Sequence, residues 1–243
     1  MSAAPRVLAG AALTGVVGTA SRHALPALSA RDPFRRAVPR LSGRGRPGGI
    51  GLTFDDGPHP EGTPAVLQAL AELGWSATFF LLGSQVRRFP DVAREVVAAG
   101  HEVALHGDEH CNHLFRPAGW VRRDLTRGAA AVEEATGVRP RWYRPPYGVL
   151  SGGTLRATAG LGLTPVLWTA WGRDWLPSTG ERVAATVQAD LAPGGTVLLH
   201  DSDCTSTPGS WRATVAALPH LAEELDRRAL TVRPVREHLR STG

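Results

Sequence analysis

Residues 51–64, GLTFDDGPHPEGTP, end a run of strand-forming residues on two adjacent aspartates, Asp55 and Asp56, with a Gly-Pro turn directly behind. Neighbouring carboxylates repel, and each costs solvation wherever it is neither wet nor paired. A metal ion, a cationic side chain or a catalytic task must offset that cost. Residues 106–110, HGDEH, place two histidines four apart directly after the apolar stretch EVAL. With Asp55 or Asp56 they supply two imidazoles and one carboxylate, a set that leaves coordination positions open for water and substrate, as in catalytic zinc sites. Asp108, Glu109 and His113 are rival ligands whose surroundings read instead as a solvated loop.

Three further stretches carry reactive side chains. RWYRPPYGVL (141–150) sets Arg144 at a strand end, where it can pair with a carboxylate. The two prolines behind it stiffen the loop, so the backbone N–H of Tyr147 can be held rigidly. WGRDW (171–175) and LLHDSD (198–203) add an Asp and a His at two more strand ends. The two cysteines, Cys111 and Cys204, form no disulfide framework and are expected as free thiols rather than a bridge.

These groups need elements to position them. From residue 49 the chain alternates strand-like runs (50–54, 76–82, 101–106, 141–144, 164–170, 195–200 and 230–234) with helical patterns such as 120–137. About seven βα units with continuous apolar strands mean a parallel α/β sheet covered by helices. An open doubly wound sheet and a closed barrel both fit. Polar residues recur at the C-terminal ends of the strands, where a barrel gathers catalytic groups at one mouth. A distorted (β/α) barrel of about seven strands in a single domain, residues 49–238, is therefore expected.

The formal net charge of +5 could suggest an anionic partner, but its distribution argues against nucleic acid. Seven arginines (22, 31, 35, 36, 40, 44 and 46) lie within residues 21–48 against one acid, Asp32, and the chain has no lysine. Without residues 1–48 the remainder is close to neutral. Val7–Ala20 is one apolar run of fourteen residues, short for a membrane span and right for a signal-peptide core. It reads equally as an export or membrane-tethering segment and as a helix packed on the domain, and residues 21–48, rich in Arg, Pro and Gly, read as a linker or a loosely packed arm.

Together TFDDGP (53–58), HGDEH, RPPYG (144–148), RDW (173–175) and LLH (198–200) resemble, in order, the five motifs of the polysaccharide deacetylase family, the NodB-homology enzymes of carbohydrate esterase family 4. The resemblance spans residues 49–235 and implies a metal-dependent hydrolase that removes N-acetyl groups from a peptidoglycan- or chitooligosaccharide-like glycan. It implies Asp56, His106 and His110 as ligands of a divalent metal, most simply Zn2+, and Asp55 as the general base oriented by Arg144. The Tyr147 backbone N–H would help bind the oxyanion, and Asp174 would tune His200 as the acid. Trp175 and Leu198 would shape the acetyl pocket. Two positions depart from the family pattern. Gly107 stands where a Ser or Thr hydroxyl usually braces the metal-binding loop, and Trp171 where some members carry an acid. An O-acetyl esterase, a deacylase of a lipid-linked sugar or small amide, and an inactive sugar-binding protein are the competing expectations. A glycosidase is disfavoured, because its paired carboxylates stand apart across the substrate and need no histidine pair. Trp142, Trp168, Trp171 and Trp175 could stack on sugar rings, with Trp168 expected in the core.

Overall fold

The computed structural model of the chain describes residues 21–30, 38 and 40–240; the run Val7–Ala20 and the expectation attached to it lie outside them. Eight strands form one sheet: β1 (Gly49–Asp55), β2 (Thr78–Leu81), β3 (Glu102–Leu105), β4 (Trp142–Tyr143), β5 (Thr164–Pro165), β6 (Ala170–Trp171), β7 (Thr196–His200) and β8 (Thr231–Arg233). All pairings are parallel, in the order β5-β4-β3-β2-β1-β7-β6, with β8 paired to the foot of β1. This seven-strand path curls into a half-barrel, in agreement with the expected distorted barrel. From residue 49 to 240 the helices that accompany it are α1 (Gly62–Glu72), α2 (Gly83–Arg88), α3 (Pro90–Ala98), α4 (Ala118–Thr136), α5 (Gly152–Leu161), α6 (Gly180–Asp190), α7 (Trp211–Arg227) and α8 (Val235–His238).

Side-chain alternation along the strands sorts the two faces. Leu52, Phe54, Phe79, Leu81, Val103, Leu105, Val197 and Leu199 pack outward with helix residues such as Val66, Leu125 and Val183 in the main core. Phe80 and Ala104 point inward with Val166 and Val235, while Leu198 packs with Leu167 and Trp168. With both faces buried, the strands read as unbroken apolar runs. By the same parity Thr53, Asp55, His106, Arg144 and His200 face the barrel interior or its mouth.

The run TPVLWTA, expected as one strand, is two. Between β5 and β6 the Val166 and Leu167 carbonyls accept from the Arg144 guanidinium, at 3.3 and 3.0 Å, and the Leu167 N–H donates to the Leu41 carbonyl at 2.7 Å. A buried cation thus diverts this backbone from the ladder. Residues 41–46 sit against the same seam: Thr196 Oγ1 donates to the Gly43 carbonyl at 2.6 Å and Gly45 N–H to the Gly194 carbonyl at 2.8 Å. Short α2 and α8 are absent from the sequence expectation because neither is long enough to show helical periodicity.

Candidate active site at the strand C-termini

Asp55 closes β1 and Arg144 follows β4, so the two face one another across the barrel. Arg144 Nη1 donates to Asp55 Oδ1 at 2.7 Å and to Thr53 Oγ1 at 2.8 Å. With the two carbonyls above, the wholly buried guanidinium is satisfied on every side, and it lies over the Phe80 ring at 4.1 Å. Burial pulls its pKa below the ordinary arginine value against the charge of Asp55.

Asp56 adopts φ of +76°, and this left-handed turn swings its carboxylate back toward the interior that Asp55 also faces. Strand alternation alone would send the two carboxylates to opposite sides, and this turn cancels it. His106 Nε2 lies 3.2 Å from Asp56 Oδ1 and 3.9 Å from Asp55 Oδ2, and His110 Nε2 lies 3.6 Å from Asp56 Oδ1. His106 Nδ1 is 2.8 Å from the Arg144 carbonyl, so Nδ1–H donates there and Nε2 faces the carboxylates. Thr205 Oγ1 donates to Asp56 Oδ2.

The donor atoms of Asp56, His106 and His110 all lie within 4.8 Å of one another, and buried Asp56 Oδ1 has no hydrogen-bond donor. Burial alone would raise the Asp56 carboxyl; the facing imidazoles, His106 above all, outweigh it and hold the group well below its ordinary value. Burial pulls His110 down to about 4 against the charge of Asp56, which leaves its ring neutral at pH 7 with a lone pair to give. Two imidazoles and an ionised carboxylate with one orphaned oxygen fit a divalent cation.

The loop between the two histidines is held from α4. Asp124 accepts the backbone N–H groups of Asp108 and Glu109, each at 3.1 Å, and its Oδ2 is 3.3 Å from His113 Nε2. Gly107 sits at φ of +106°, and a Cβ there would stand 3.1 Å from Asp124 Oδ2. The brace that the family pattern assigns to a hydroxyl at this position is therefore supplied by a carboxylate from another element. Asp108 and His113 do not lie in a solvated loop as expected. Asp108 is buried in ion pairs with Arg87 (2.7 Å) and Arg127 (2.9 Å), and His113 is buried against Asp124 with the Tyr143 hydroxyl 3.1 Å from its Nδ1. Isolated carboxylates and imidazoles are costly to bury, and these partners remove the cost. Glu109 is exposed, as expected.

On the opposite wall His200 ends β7, level with Asp55 in the strand register. Its Nδ1 is 2.9 Å from Asp174 Oδ1, and Asp174 Oδ2 accepts from the His200 N–H and from Thr214 Oγ1, both at 2.7 Å. Burial works to lower the His200 pKa, but the charge and hydrogen bond of Asp174 carry it up to about 10. Trp175 stands edge-on to His200 at 5.8 Å and continues through Trp171 to Trp168, which is buried as expected. Leu198 is buried beneath this row. Tyr147, at φ of +60°, lays its ring against His110 at 4.6 Å. Trp142 lies elsewhere and donates to Glu102 at 3.0 Å. A groove of ≈ 630 Å3 runs from Tyr147 and Trp171 down the unpaired seam to Gly195.

Asp55, Asp56, His106, His110, Arg144, Tyr147, Asp174, Trp175, Leu198 and His200 are thus gathered at one mouth. Thr53, Asp124, Thr205 and Thr214, which orient them, were missed from sequence. Asp124 and Thr214 had a signal: each is a polar residue on the apolar stripe of its helix, Val121–Asp124–Leu125–Gly128 and Thr214–Ala217–Leu218–Leu221. Asp201, a strand-end polar residue of the LLHDSD stretch, carried no assigned role. It is wholly buried and accepts from Thr63 Oγ1, and burial pushes its carboxyl up to about 7. Cys111 and Cys204 are free thiols, the latter 3.4 Å from the Asp56 carbonyl.

Residues 42–166 match the family Polysaccharide deacetylase. A chitooligosaccharide deacetylase of Sinorhizobium fredii (strain NBRC 101917 / NGR234) is 38% identical over 206 residues, 82% of this chain and 95% of that protein. The structure of the Bc1960 peptidoglycan N-acetylglucosamine deacetylase superposes with a TM-score of 0.76 at 26% identity, covering 83% of this chain and 92% of the other. A family 4 carbohydrate esterase from Streptomyces lividans, solved with acetate, gives 0.68 at 32% identity over 75% and 90%. With five motifs converging on one mouth and relatives matched over most of their length, this chain belongs to the polysaccharide deacetylase family, the NodB-homology fold of carbohydrate esterase family 4.

Proposed function

We propose that this chain removes N-acetyl groups from an N-acetylglucosamine glycan of the chitooligosaccharide or peptidoglycan kind, with Zn2+ held by Asp56, His106 and His110. The chain is a hydrolase of the deacetylase class, and the activities named for its relatives on both kinds of glycan support the substrate class. The observation that carries the reading is the pairing across one mouth of Asp55–Arg144 with His200–Asp174, both beside the Asp-His-His cluster.

When bound, the cation would supply Lewis-acid polarisation of the acetamide carbonyl and a lowered pKa for water in the site. The remaining work belongs to the chain. Asp55, anchored by Arg144, takes the proton of the attacking water. The Tyr147 backbone N–H donates to the oxygen on which negative charge develops. His200, kept protonated by Asp174, gives its proton to the departing nitrogen. An amide requires that acid because an amine anion is a very poor leaving group. Trp175 and Leu198 would bound the space for the acetyl methyl.

The test is acetate release from N-acetylglucosamine oligomers and from peptidoglycan, with chelator-treated protein and with zinc added back. Zinc-restored release that is absent in Asp55→Asn is the expected result. Zinc binding without acetate from either glycan would overturn the substrate assignment and favour an O-acetyl ester or lipid-linked sugar.

A further inference from the structure

Five of the large apolar side chains that the described residues leave in solvent gather at one side of the mouth: Leu25 (59% exposed), Leu28 (36%), Phe115 (78%), Tyr147 (61%) and Leu155 (40%). They come from separate segments that touch one another. The 3-10 turn Leu25–Ala30 packs on the turn Pro146–Gly148, and the turn His113–Phe115 packs on α5. His23 Nε2 is 3.0 Å from the Leu114 carbonyl. A Cβ on Gly152, at the start of α5, would stand 2.6 Å from the Arg22 carbonyl. The rim reaches the site itself, because the Tyr147 ring rests on His110.

The same segments carry charge of one sign. Residues 21–31, 110–123 and 138–173 contain no Asp or Glu, while Arg22, Arg116 and Arg156 stand exposed within them. Of the acids that bound the second stretch, Glu109 is exposed and Asp124 is buried. In the sequence the apolar run Val7–Ala20 ends immediately before Ser21, where the first of these segments begins. Apolar segments that carry exposed arginines and no carboxylate of their own have the composition of an interfacial surface, in which the side chains enter the acyl boundary and the guanidiniums meet acidic headgroups.

We infer that this rim docks on an anionic lipid bilayer and that the mouth of the site opens at the headgroup layer. The docking is a property of the folded domain, additional to any lipid affinity of the N-terminal run.

The test is co-sedimentation of the full-length chain with phosphatidylcholine vesicles, with and without phosphatidylglycerol. Leu25→Ser/Phe115→Ser/Leu155→Ser should lower the partition coefficient by about tenfold or more. Val138→Ser, an exposed residue just past the C-terminal end of α4 on the side opposite the mouth, should leave it unchanged. Arg22→Gln/Arg156→Gln should reduce the preference for phosphatidylglycerol by about fivefold per arginine. Unchanged melting temperatures establish that each variant is folded. If the triple variant is not, Phe115→Ser alone carries the test with an expected loss of about threefold. A folded rim variant that partitions like the parent would overturn the inference and assign lipid binding to the N-terminal run. Absence of partitioning by the parent would overturn it as well, as would rim-dependent capture of a soluble anionic polysaccharide without capture of vesicles.

Discussion

Asp56 Oδ1 lies 3.2 Å from His106 Nε2, although the pleat of β1 would send the Asp55 and Asp56 side chains to opposite faces. The left-handed φ of Asp56 cancels that alternation and brings both carboxylates to one imidazole, so the cluster is built from one strand end and the loop after another. Its orphaned oxygen and neutral His110 set the first expectation. Zinc should raise the melting temperature of chelator-treated protein, by the equivalent of about 4 kcal/mol at a thousandfold excess over Kd. Asp56→Asn should abolish the increase, and differential scanning calorimetry with and without zinc measures both.

Asp124→Ala should leave the Asp108 and Glu109 N–H groups without their acceptor, at a cost of about 1–3 kcal/mol in stability. Because those amides lie between the two histidines, zinc affinity should fall by roughly 10- to 100-fold. Chelator competition reads the affinity and chemical denaturation the stability. An affinity equal to that of the parent would mean that the loop holds its shape without the carboxylate.

Gly107→Ser, which restores the usual family residue, should destabilise this chain by about 1–3 kcal/mol. The position has φ of +106°, and the new Cβ would face Asp124 Oδ2 at 3.1 Å. A Gly107→Ser protein that melts at the parental temperature would show that the two braces are compatible.

Arg144→Ala should cost about 3–5 kcal/mol, because Asp55 and two backbone carbonyls would be left buried without their cation. Arg144→Lys keeps the charge but not the fork that reaches all four acceptors, so acetate release should fall steeply while part of the stability returns. Urea titration and initial rates separate the two effects.

His200 is raised from its ordinary 6.5 to about 10, and the sign of the pH dependence follows. A histidine whose folded pKa exceeds its unfolded value contributes stability in full below about 6.5, and that contribution declines until it is lost as pH passes about 10. The catalytic acid is lost on the same upper limb. Asp174→Asn removes the charge that raises the imidazole, so the alkaline limb of kcat should move to lower pH. Rate profiles at saturating substrate between pH 6 and roughly 10.5 test this; an unmoved limb would exclude His200 as the titrating acid.

Much of this protein was legible in its order of residues. The parallel α/β architecture followed from apolar runs alternating with helical periodicity, and polar residues at strand ends marked the mouth before any distance was known. Local chemistry wrote those features: a run of Leu, Val and Phe specifies its strand, and the residue after its last inward position lies at the rim. The tertiary structure decided which polar groups meet. Asp124 reaches a loop fifteen and sixteen residues earlier, Thr214 reaches Asp174 across forty, and Arg144 splits TPVLWTA by claiming its carbonyls. Asp108 and His113 carry the same side chains in a solvated loop or a buried ion pair; only the arrival of Arg87, Arg127 and Asp124 selects the second. Periodicity is a property of neighbours along the chain, whereas the cost of a buried charge is set by whatever the fold brings beside it.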